Sequence, residues 1–275
     1  MNAIPFFKMS GSGNDFIVID NRAAAIDETV LVDLIKGACR RKLSVGADGL
    51  ILVENSESVD FKWRFFNSDG SVAEMCGNGA RCAARYAYLN RIAGREMAFE
   101  TLAGVVEARV DGQRVKIKMT APSDLAPAVT LDLHSGPVQV SSVNTGVPHV
   151  VVAVADIEQA PVEAMGREIR NHAHFAPAGT NVNFVCPQKD GTIAIRTYER
   201  GVEGETLACG TGSVAAAIIG AQTTGLGSPV DMLTRSGEVL RIYFELANGE
   251  YVNVYLEGDA RVIYTGELWE EAWRP

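Results

Sequence analysis

Met75-Cys76-Gly77-Asn78-Gly79-Ala80-Arg81-Cys82-Ala83-Ala84 returns later in the chain as Ala208-Cys209-Gly210-Thr211-Gly212-Ser213-Val214-Ala215-Ala216-Ala217. Each copy sets a cysteine ahead of Gly-x-Gly and then runs into small, helix-forming residues. Subtracting 76 from 209 gives an offset of 133, and other pairs keep it: Gly13 with Gly146, Gly46 with Gly179, Thr101 with Thr234 and Gly104 with Gly237. One gap-free offset over most of the chain reads as a duplicated domain, each half contributing one cysteine to something shared.

Length and composition agree with that organisation. A chain of 275 residues holds two domains of ordinary size, expected at 1–122 and 123–275, with the last strand a candidate to return to the first half. Apolar residues make up 47% and charged ones 21%, enough for a real core. Lysine and arginine number 25 against 34 acids, a net charge of −9, which argues against nucleic acid or an anionic membrane as partner. The N-terminus lacks a basic segment followed by an apolar one, and no apolar run approaches the ~18 residues a membrane span needs. Five cysteines without CxxC spacing point to reduced thiols and a cytoplasmic location.

Strands are expected at Ile4–Met9, Phe16–Asp20, Leu50–Glu54 and Phe61–Asn67, with a helix from Thr29 to Arg41 carrying Val30, Leu34, Ile35 and Ala38 on one face. After the first Cys-Gly helix, strands are expected at Met97–Thr101, Gly104–Val110 and Arg114–Met119. Ala121 to Pro127, with two prolines and no apolar periodicity, reads as the interdomain linker. The second half repeats the scheme: strands near Val138–Val143, Val150–Val154, Asn181–Cys186, Thr192–Glu199, Val239–Leu246 and Tyr251–Glu257, and helices near Glu158–Arg170 and Gly210–Ala221. The fold class is α+β: two pseudo-symmetric domains of mostly antiparallel strands, each wrapped around a central helix.

Free cysteine has a pKa of about 8.5, and a helix N-terminus lowers it. Cys76 and Cys209 both precede Gly-x-Gly and then a helix, so each should lie beside unpaired backbone N–H groups suited to a carboxylate. Two facing copies would hold one carboxylate between two helix N-termini, with a thiol on either side. That suits removal of a proton from the α-carbon of an amino acid and its return on the opposite face, which needs two acid/base groups. The carboxylate, held by backbone N–H groups, would take part of the carbanion charge. The scheme needs no cofactor and no metal. His172 and His174 are isolated, no Cys/His quartet occurs, and no lysine lies in a recognisable pyridoxal site.

The sequence resembles the diaminopimelate epimerase family over essentially its whole length. The resemblance rests on Gly11-Ser12-Gly13-Asn14-Asp15-Phe16, on Asn67-Ser68-Asp69-Gly70-Ser71 and on Met75 to Arg81. It continues through Gly146-Val147-Pro148-His149, Thr180-Asn181-Val182-Asn183-Phe184, Tyr198-Glu199-Arg200-Gly201 and Thr206 to Gly212. It implies cofactor-independent interconversion of LL- and meso-diaminopimelate, in bacterial lysine and peptidoglycan precursor biosynthesis, with two cysteines as acid and base. By motif, Cys76 and Cys209 would be the proton-transfer pair, with His149 and Glu199 supporting catalysis. Gly77-Asn78 and Gly210-Thr211 would hold the reacting carboxylate. Asn14, Asn67, Asn181, Glu199 and Arg200 would bind the amino and carboxylate groups at the two ends of the substrate. The chain departs from the family at Gly49, where many members have glutamine, and at Val147, where many have asparagine. The resemblance also implies a homodimer with Tyr264 and the C-terminal strand near its interface.

Plainer roles suit the other candidates. Cys39, Cys82 and Cys186 read as small packing residues, and Trp269 and Trp273 as packing or interface residues. Two other readings stay open. One is a sister racemase acting on histidine, proline or hydroxyproline; proline racemases typically carry Cys-Gly-His where this chain has Asn78. The other is a redox switch or anion sensor built on the same two thiols.

Overall fold

The computed structural model describes residues 3–274. In chain order, Ile4–Gly11 (β1) and Asn14–Asp20 (β2) form an antiparallel hairpin, followed by Leu31–Ala38 (α1) and Gly49–Glu54 (β3), which lies parallel to β2. Phe61–Asn67 (β4) pairs antiparallel with β3, and Val72–Ala73 (β5) leads to the helix Gly77–Leu89 (α2). Glu96–Thr101 (β6), Gly104–Asp111 (β7) and Arg114–Lys118 (β8) form a meander, with β6 also parallel to β4. Ser123–Leu133 (β9) and Gly136–Asn144 (β10) then pair antiparallel, followed by Pro148–Ala153 (β11), Val162–Arg170 (α3) and Asn181–Pro187 (β12), the last parallel to β11. Ile193–Glu199 (β13), Gly204–Thr206 (β14), Gly210–Thr224 (α4), Val230–Leu233 (β15), Val239–Ala247 (β16), Glu250–Asp259 (β17) and Arg261–Leu268 (β18) complete the chain. The class is α+β, strand-rich, with one long helix enclosed in each half.

Two compact units emerge. One runs through Ile117 and resumes at Gly258; the other is Lys118–Glu257. The offset of 133 carries α2 onto α4, β2 onto β11 and β3 onto β12. It also preserves backbone conformation. Gly13 and Gly146 have φ of 88° and 103°, and Gly46 and Gly179 have φ of 72° and 67°. These lie in the left-handed region where a Cβ is unfavourable, so the repeated glycines mark repeated turns.

The stretch read as a linker is largely strand. Ser123–Leu133 pairs with β10 in register from Ser123↔Asn144 to Leu133↔Gly136. Two register irregularities and a positive φ at Asp124 let this proline-bearing strand pair despite having no clean alternation. Its counterpart in the first unit is β18, which pairs antiparallel with β1 from Ile4↔Leu268 to Ser10↔Arg261. Each unit therefore closes on an equivalent strand. The first unit's closing strand comes from the far end of the chain, and the units divide at Ile117 rather than at residue 122.

Three helices differ at their ends from the expected ones. α1 begins at Leu31 rather than Thr29 because the Asp27 carboxylate accepts from the backbone N–H and hydroxyl of Thr29, both at 2.8 Å, in a local turn, and it ends at Ala38 rather than Arg41. α3 begins at Val162 rather than 158, since the residue before Pro161 is biased away from helical conformation. α4 runs three residues past Ala221 and stops at Gly225, left-handed at φ 72°. The short strands β5, β14 and β15 carry too few residues to show alternation.

The enclosed helices explain the small-residue pattern. On α2, Ala80, Cys82, Ala83, Ala84 and Ala87 are all buried, and on α4 every residue from Gly212 to Ile219 is. A helix buried on nearly all sides needs small side chains so that surrounding strands can approach. A second apolar cluster in the first unit packs α1 on the sheet through Leu34, Ile35, Ile17 and Leu50, and includes Cys39 and Trp273. In the second unit, α3 does the same through Val162 and Ile169 against Val182, Phe184 and Tyr198. Cys82 and Cys186 are buried, and Trp269 is half-exposed.

Candidate active site

Cys76 is the N-cap of α2. Its φ and ψ of −146° and 117° are extended, and its carbonyl accepts the first helical bond from Ala80 N–H at 2.8 Å. The thiol turns toward the β1–β2 hairpin, where it donates to Oδ1 of Asn14 at 3.4 Å. The Asn14 amide is itself held, because Nδ2 donates to the Asp48 carboxylate at 2.6 Å. Asp48 is held in turn by Arg41 at 2.7 Å and by the Asp15 N–H at 3.1 Å. Asp15 also bridges Arg41 at 2.6 Å and the buried Lys8 at 2.8 Å. Partial burial would raise the Asp15 carboxyl, but the two cations prevail and hold it down at about 2.

Arg81, one turn into α2, is fully buried. It donates to Ser12 Oγ at 2.9 Å, Asn78 Oδ1 at 3.0 Å and the Gly77 carbonyl at 3.3 Å. This clamp binds the first turn of α2 to the β1–β2 loop. The Asn78 side chain is thereby engaged inside the protein, leaving backbone N–H groups as what the Gly77-Asn78 turn offers a ligand. Gly11 is glycine because a Cβ there would meet the Asn78 carbonyl at 2.9 Å. Asn67, at the end of β4, is exposed, and its Nδ2 donates to Ser71 Oγ at 3.0 Å.

Cys209 is the equivalent N-cap of α4, with φ and ψ of −116° and 112°. Its sulfur has a different setting. Gly212 N–H donates to Sγ at 3.4 Å, and the Thr211 hydroxyl lies 3.5 Å away. The Thr211 carbonyl accepts from Thr145 Oγ1 at 3.0 Å, tying the loop to β10. Gly210 is half-buried with Leu256 against it.

Beneath Gly212 lies a buried polar triad. Asn183 accepts from Thr197 Oγ1 at 2.9 Å and donates through Nδ2 to the Val150 carbonyl at 2.9 Å. With the amide so oriented, Nδ2 also donates to His149 Nδ1 at 3.1 Å, and the ring proton resides on Nε2. His149 is wholly buried, and no hydrogen bond to Nε2 occurs among the described residues. Burial, reinforced by the positive charge of Arg200, lowers its pKa to about 3, so it is a neutral donor at pH 7. In the repeat His149 stands where the first unit has Phe16.

Glu199 closes β13, and burial raises its carboxyl above the usual range against the opposing effect of the Thr206 hydroxyl. Asn181 is buried and bonded to backbone at both ends of its amide: to the Pro148 carbonyl at 3.1 Å and from the Arg200 N–H at 2.8 Å. It positions the Glu199–Arg200 turn. The Arg200 guanidinium reaches the Ala178 carbonyl at 3.0 Å. The second unit thus gathers His149, Asn181, Glu199, Arg200 and the Cys209 loop around the ends of β11, β12 and β13. Sequence reasoning gave no role to Asn183, Asp48 or Arg81. All three stand within or beside quoted motifs, but their roles depend on partners many residues away. Among the described residues no group of three or more His, Cys, Asp or Glu is placed to hold a metal ion.

The diaminopimelate epimerase family model matches residues 6–125 and 141–263, covering both cysteine loops. The chain belongs to the diaminopimelate epimerase family. A family member from Aquifex aeolicus is 49% identical over 278 residues, spanning 97% of this chain and 98% of that protein. One from Archaeoglobus fulgidus is 42% identical, spanning 96% of each. Solved structures share the fold at low identity. A PhzF-family phenazine biosynthesis protein from Bacillus anthracis has a TM-score of 0.73 at 16% identity, covering 98% of this chain and 100% of that one. A probable proline racemase from Agrobacterium radiobacter has 0.70 at 15%, covering 99% and 94%. Against the diaminopimelate epimerase pattern, Gly49 departs for a local reason. A Cβ there would lie 2.5 Å from the Phe66 carbonyl and 2.7 Å from the Phe65 ring, so this packing leaves no room for a side chain. Val147 is half-buried in the β10–β11 turn, its carbonyl accepting from Thr145 N–H at 3.2 Å.

Proposed function

We propose that this protein interconverts LL- and meso-diaminopimelate by proton transfer at the α-carbon, with Cys76 and Cys209 as the acid/base pair. The reading is carried by one observation: in a chain matched along both halves by the epimerase family, each half caps its enclosed helix with a cysteine. One thiolate removes the α-proton while the other thiol returns a proton to the opposite face. Backbone N–H groups of Gly77-Asn78 and Gly210-Thr211 bind the reacting carboxylate and share the charge that develops on it. His149, a neutral donor through Nε2, and Glu199, a carboxyl of raised pKa, support the transfer in this reading. Asn14, Asn67, Asn181 and Arg200 order the substrate or the turns that hold it. The chemistry needs no cofactor, and the expected working form is a cytoplasmic homodimer.

The test is reduced protein with LL-diaminopimelate in deuterated water. Formation of the meso isomer carrying deuterium at the inverted carbon, lost in Cys76→Ala and Cys209→Ala, is the expected result. Exchange with histidine or proline but none with diaminopimelate would move the protein to a sister racemase activity. Exchange with no amino acid would sink the catalytic reading.

A further inference from the structure

Past Glu199 the chain turns through Arg200-Gly201-Val202-Glu203 from β13 into β14, where Glu199 pairs with Gly204. Two of these turn residues are left-handed, Gly201 at φ 94° and Glu203 at φ 58°. Glycine adopts such a φ freely, whereas a residue with a Cβ needs its surroundings to hold it there. Glu203 is held from several sides. Its N–H donates to the Glu199 carbonyl at 2.8 Å, and its Oε1 accepts from the Gly201 N–H at 3.1 Å. The same Oε1 accepts from Nε and Nη2 of Arg170 at 3.2 and 3.0 Å, and Oε2 accepts from the Tyr198 hydroxyl at 3.4 Å. Arg170 is the last residue of α3, one turn after Gly166 on the same face. A Cβ at Gly166 would lie 2.6 Å from the Tyr198 Cβ, so this glycine lets α3 approach β13 closely enough for Arg170 to reach the turn.

Arg170 also packs against the loop before β12. Gly179 has no Cβ to clash with the Arg170 guanidinium, and one placed there would lie 2.7 Å from the Arg170 carbonyl. The neighbouring Ala178 carbonyl accepts from the Arg200 guanidinium at 3.0 Å. Arg170 therefore touches both supports of Arg200: the turn that carries its backbone and the loop that holds its side chain. Among the described residues the bond to Ala178 is the one hydrogen bond the Arg200 side chain makes, which leaves its other donors for a carboxylate. We propose that Arg170 and Glu203 are a positioning pair that joins the Arg200–Glu203 turn to the Ala178–Gly179 loop and so presents the Arg200 guanidinium to a substrate carboxylate in one orientation. The inference deepens the epimerase reading and rests on it for the identity of the substrate. A guanidinium holding a carboxylate away from the bonds that change binds it alike before and during proton transfer, so loosening Arg200 weakens binding rather than chemistry. Glu199 stays in place through the β13–β14 ladder, which does not depend on the pair.

Steady-state epimerisation of LL-diaminopimelate by the full-length reduced protein and its Arg170→Met, Glu203→Ala and double variants tests this, together with amide hydrogen exchange in the absence of substrate. Each single change should raise KM at least about tenfold while kcat stays within about threefold of wild type. The double variant should be no worse than Glu203→Ala alone, because the two side chains share one contact. Glu203→Gln keeps an Oε1 acceptor for Arg170 and Gly201, so its KM should stay within about threefold of wild type. The Gly201 amide should exchange at least about tenfold faster in Glu203→Ala, while the amides of β12 and β13 keep their protection. A fall in kcat at unchanged KM, or KM effects that multiply in the double variant, overturns the proposal. So does Gly201 exchange that is unchanged in Glu203→Ala, or that quickens only along with β12 and β13. Wild-type protein inert toward LL-diaminopimelate would instead sink the epimerase reading, and the Gly201 exchange would still decide whether the pair holds the turn.

Discussion

Gly212→Ala should be markedly more harmful than the equivalent change in the other half of the repeat, Gly79→Ala. At Gly212 an added Cβ would overlap Oδ1 of Asn183 and stand 3.2 Å from its Cγ and 3.3 Å from the Cys209 Cβ. Asn183 has no direction in which to yield, because it is fully buried and bonded to Thr197, Val150 and His149. Overpacking costs about 1–3 kcal/mol and each buried hydrogen bond lost about 1 kcal/mol, while Ala over Gly in a helix returns about 0.8–1.0 kcal/mol. The expected net loss is about 2 kcal/mol. At Gly79 the added carbon would lie 3.3 Å from Trp63, 3.4 Å from Ile51 and 3.5 Å from Phe16, all apolar side-chain atoms able to give slightly. There the same helix gain offsets the crowding to within about 1 kcal/mol. Urea denaturation of both variants, read by tryptophan fluorescence and circular dichroism, checks the difference. Because the push on Asn183 also disturbs His149 and the Cys209 cap, kcat of Gly212→Ala should fall at least about tenfold. Equal losses for the two variants, or a Gly212→Ala protein as stable as wild type, would refute the argument from the polar triad.

Two further expectations concern pH. Asp15 has a lowered folded pKa, about 2 against 3.8, so its stabilising contribution is complete above about pH 4 and lost as pH falls toward 2. The shift corresponds to about 2.5 kcal/mol, discounted to roughly 1 kcal/mol for solvent access; Asp15→Asn should lose that much at pH 7 and flatten the stability curve between pH 4 and 2, measured by chemical denaturation. His149 also has a lowered folded pKa, about 3 against 6.5, so its contribution is present above pH 6.5 and lost as pH falls toward 3. The full shift is on the order of 5 kcal/mol. His149→Phe, which installs the residue the first unit has at this position, should remove that part of the pH dependence; an unchanged slope between pH 6.5 and 3 would show that His149 is not the titrating group.

Sequence alone determined the features carried by local pattern. A repeated Cys-Gly-x-Gly with a constant offset disclosed the duplication, because equivalent glycines must recur wherever equivalent turns need positive φ. Small residues after each cysteine disclosed the enclosed helices, and the apolar runs at Leu50–Glu54 and Phe61–Asn67 marked strands. Tertiary structure decided what depends on partners distant along the chain. That β18 closes the first unit against β1, while β9 closes the second from within the supposed linker, is a matter of strand pairing that carries no local signal. The two cysteine loops looked alike in sequence because each has the same cap and glycines. Their difference arises from what the fold packs against each sulfur: an asparagine oxygen locked by Asp48 beside Cys76, and a backbone N–H and a hydroxyl beside Cys209. Hydrogen-bond polarity belongs to the contact rather than to the residue, so only the folded chain sets the two thiols apart.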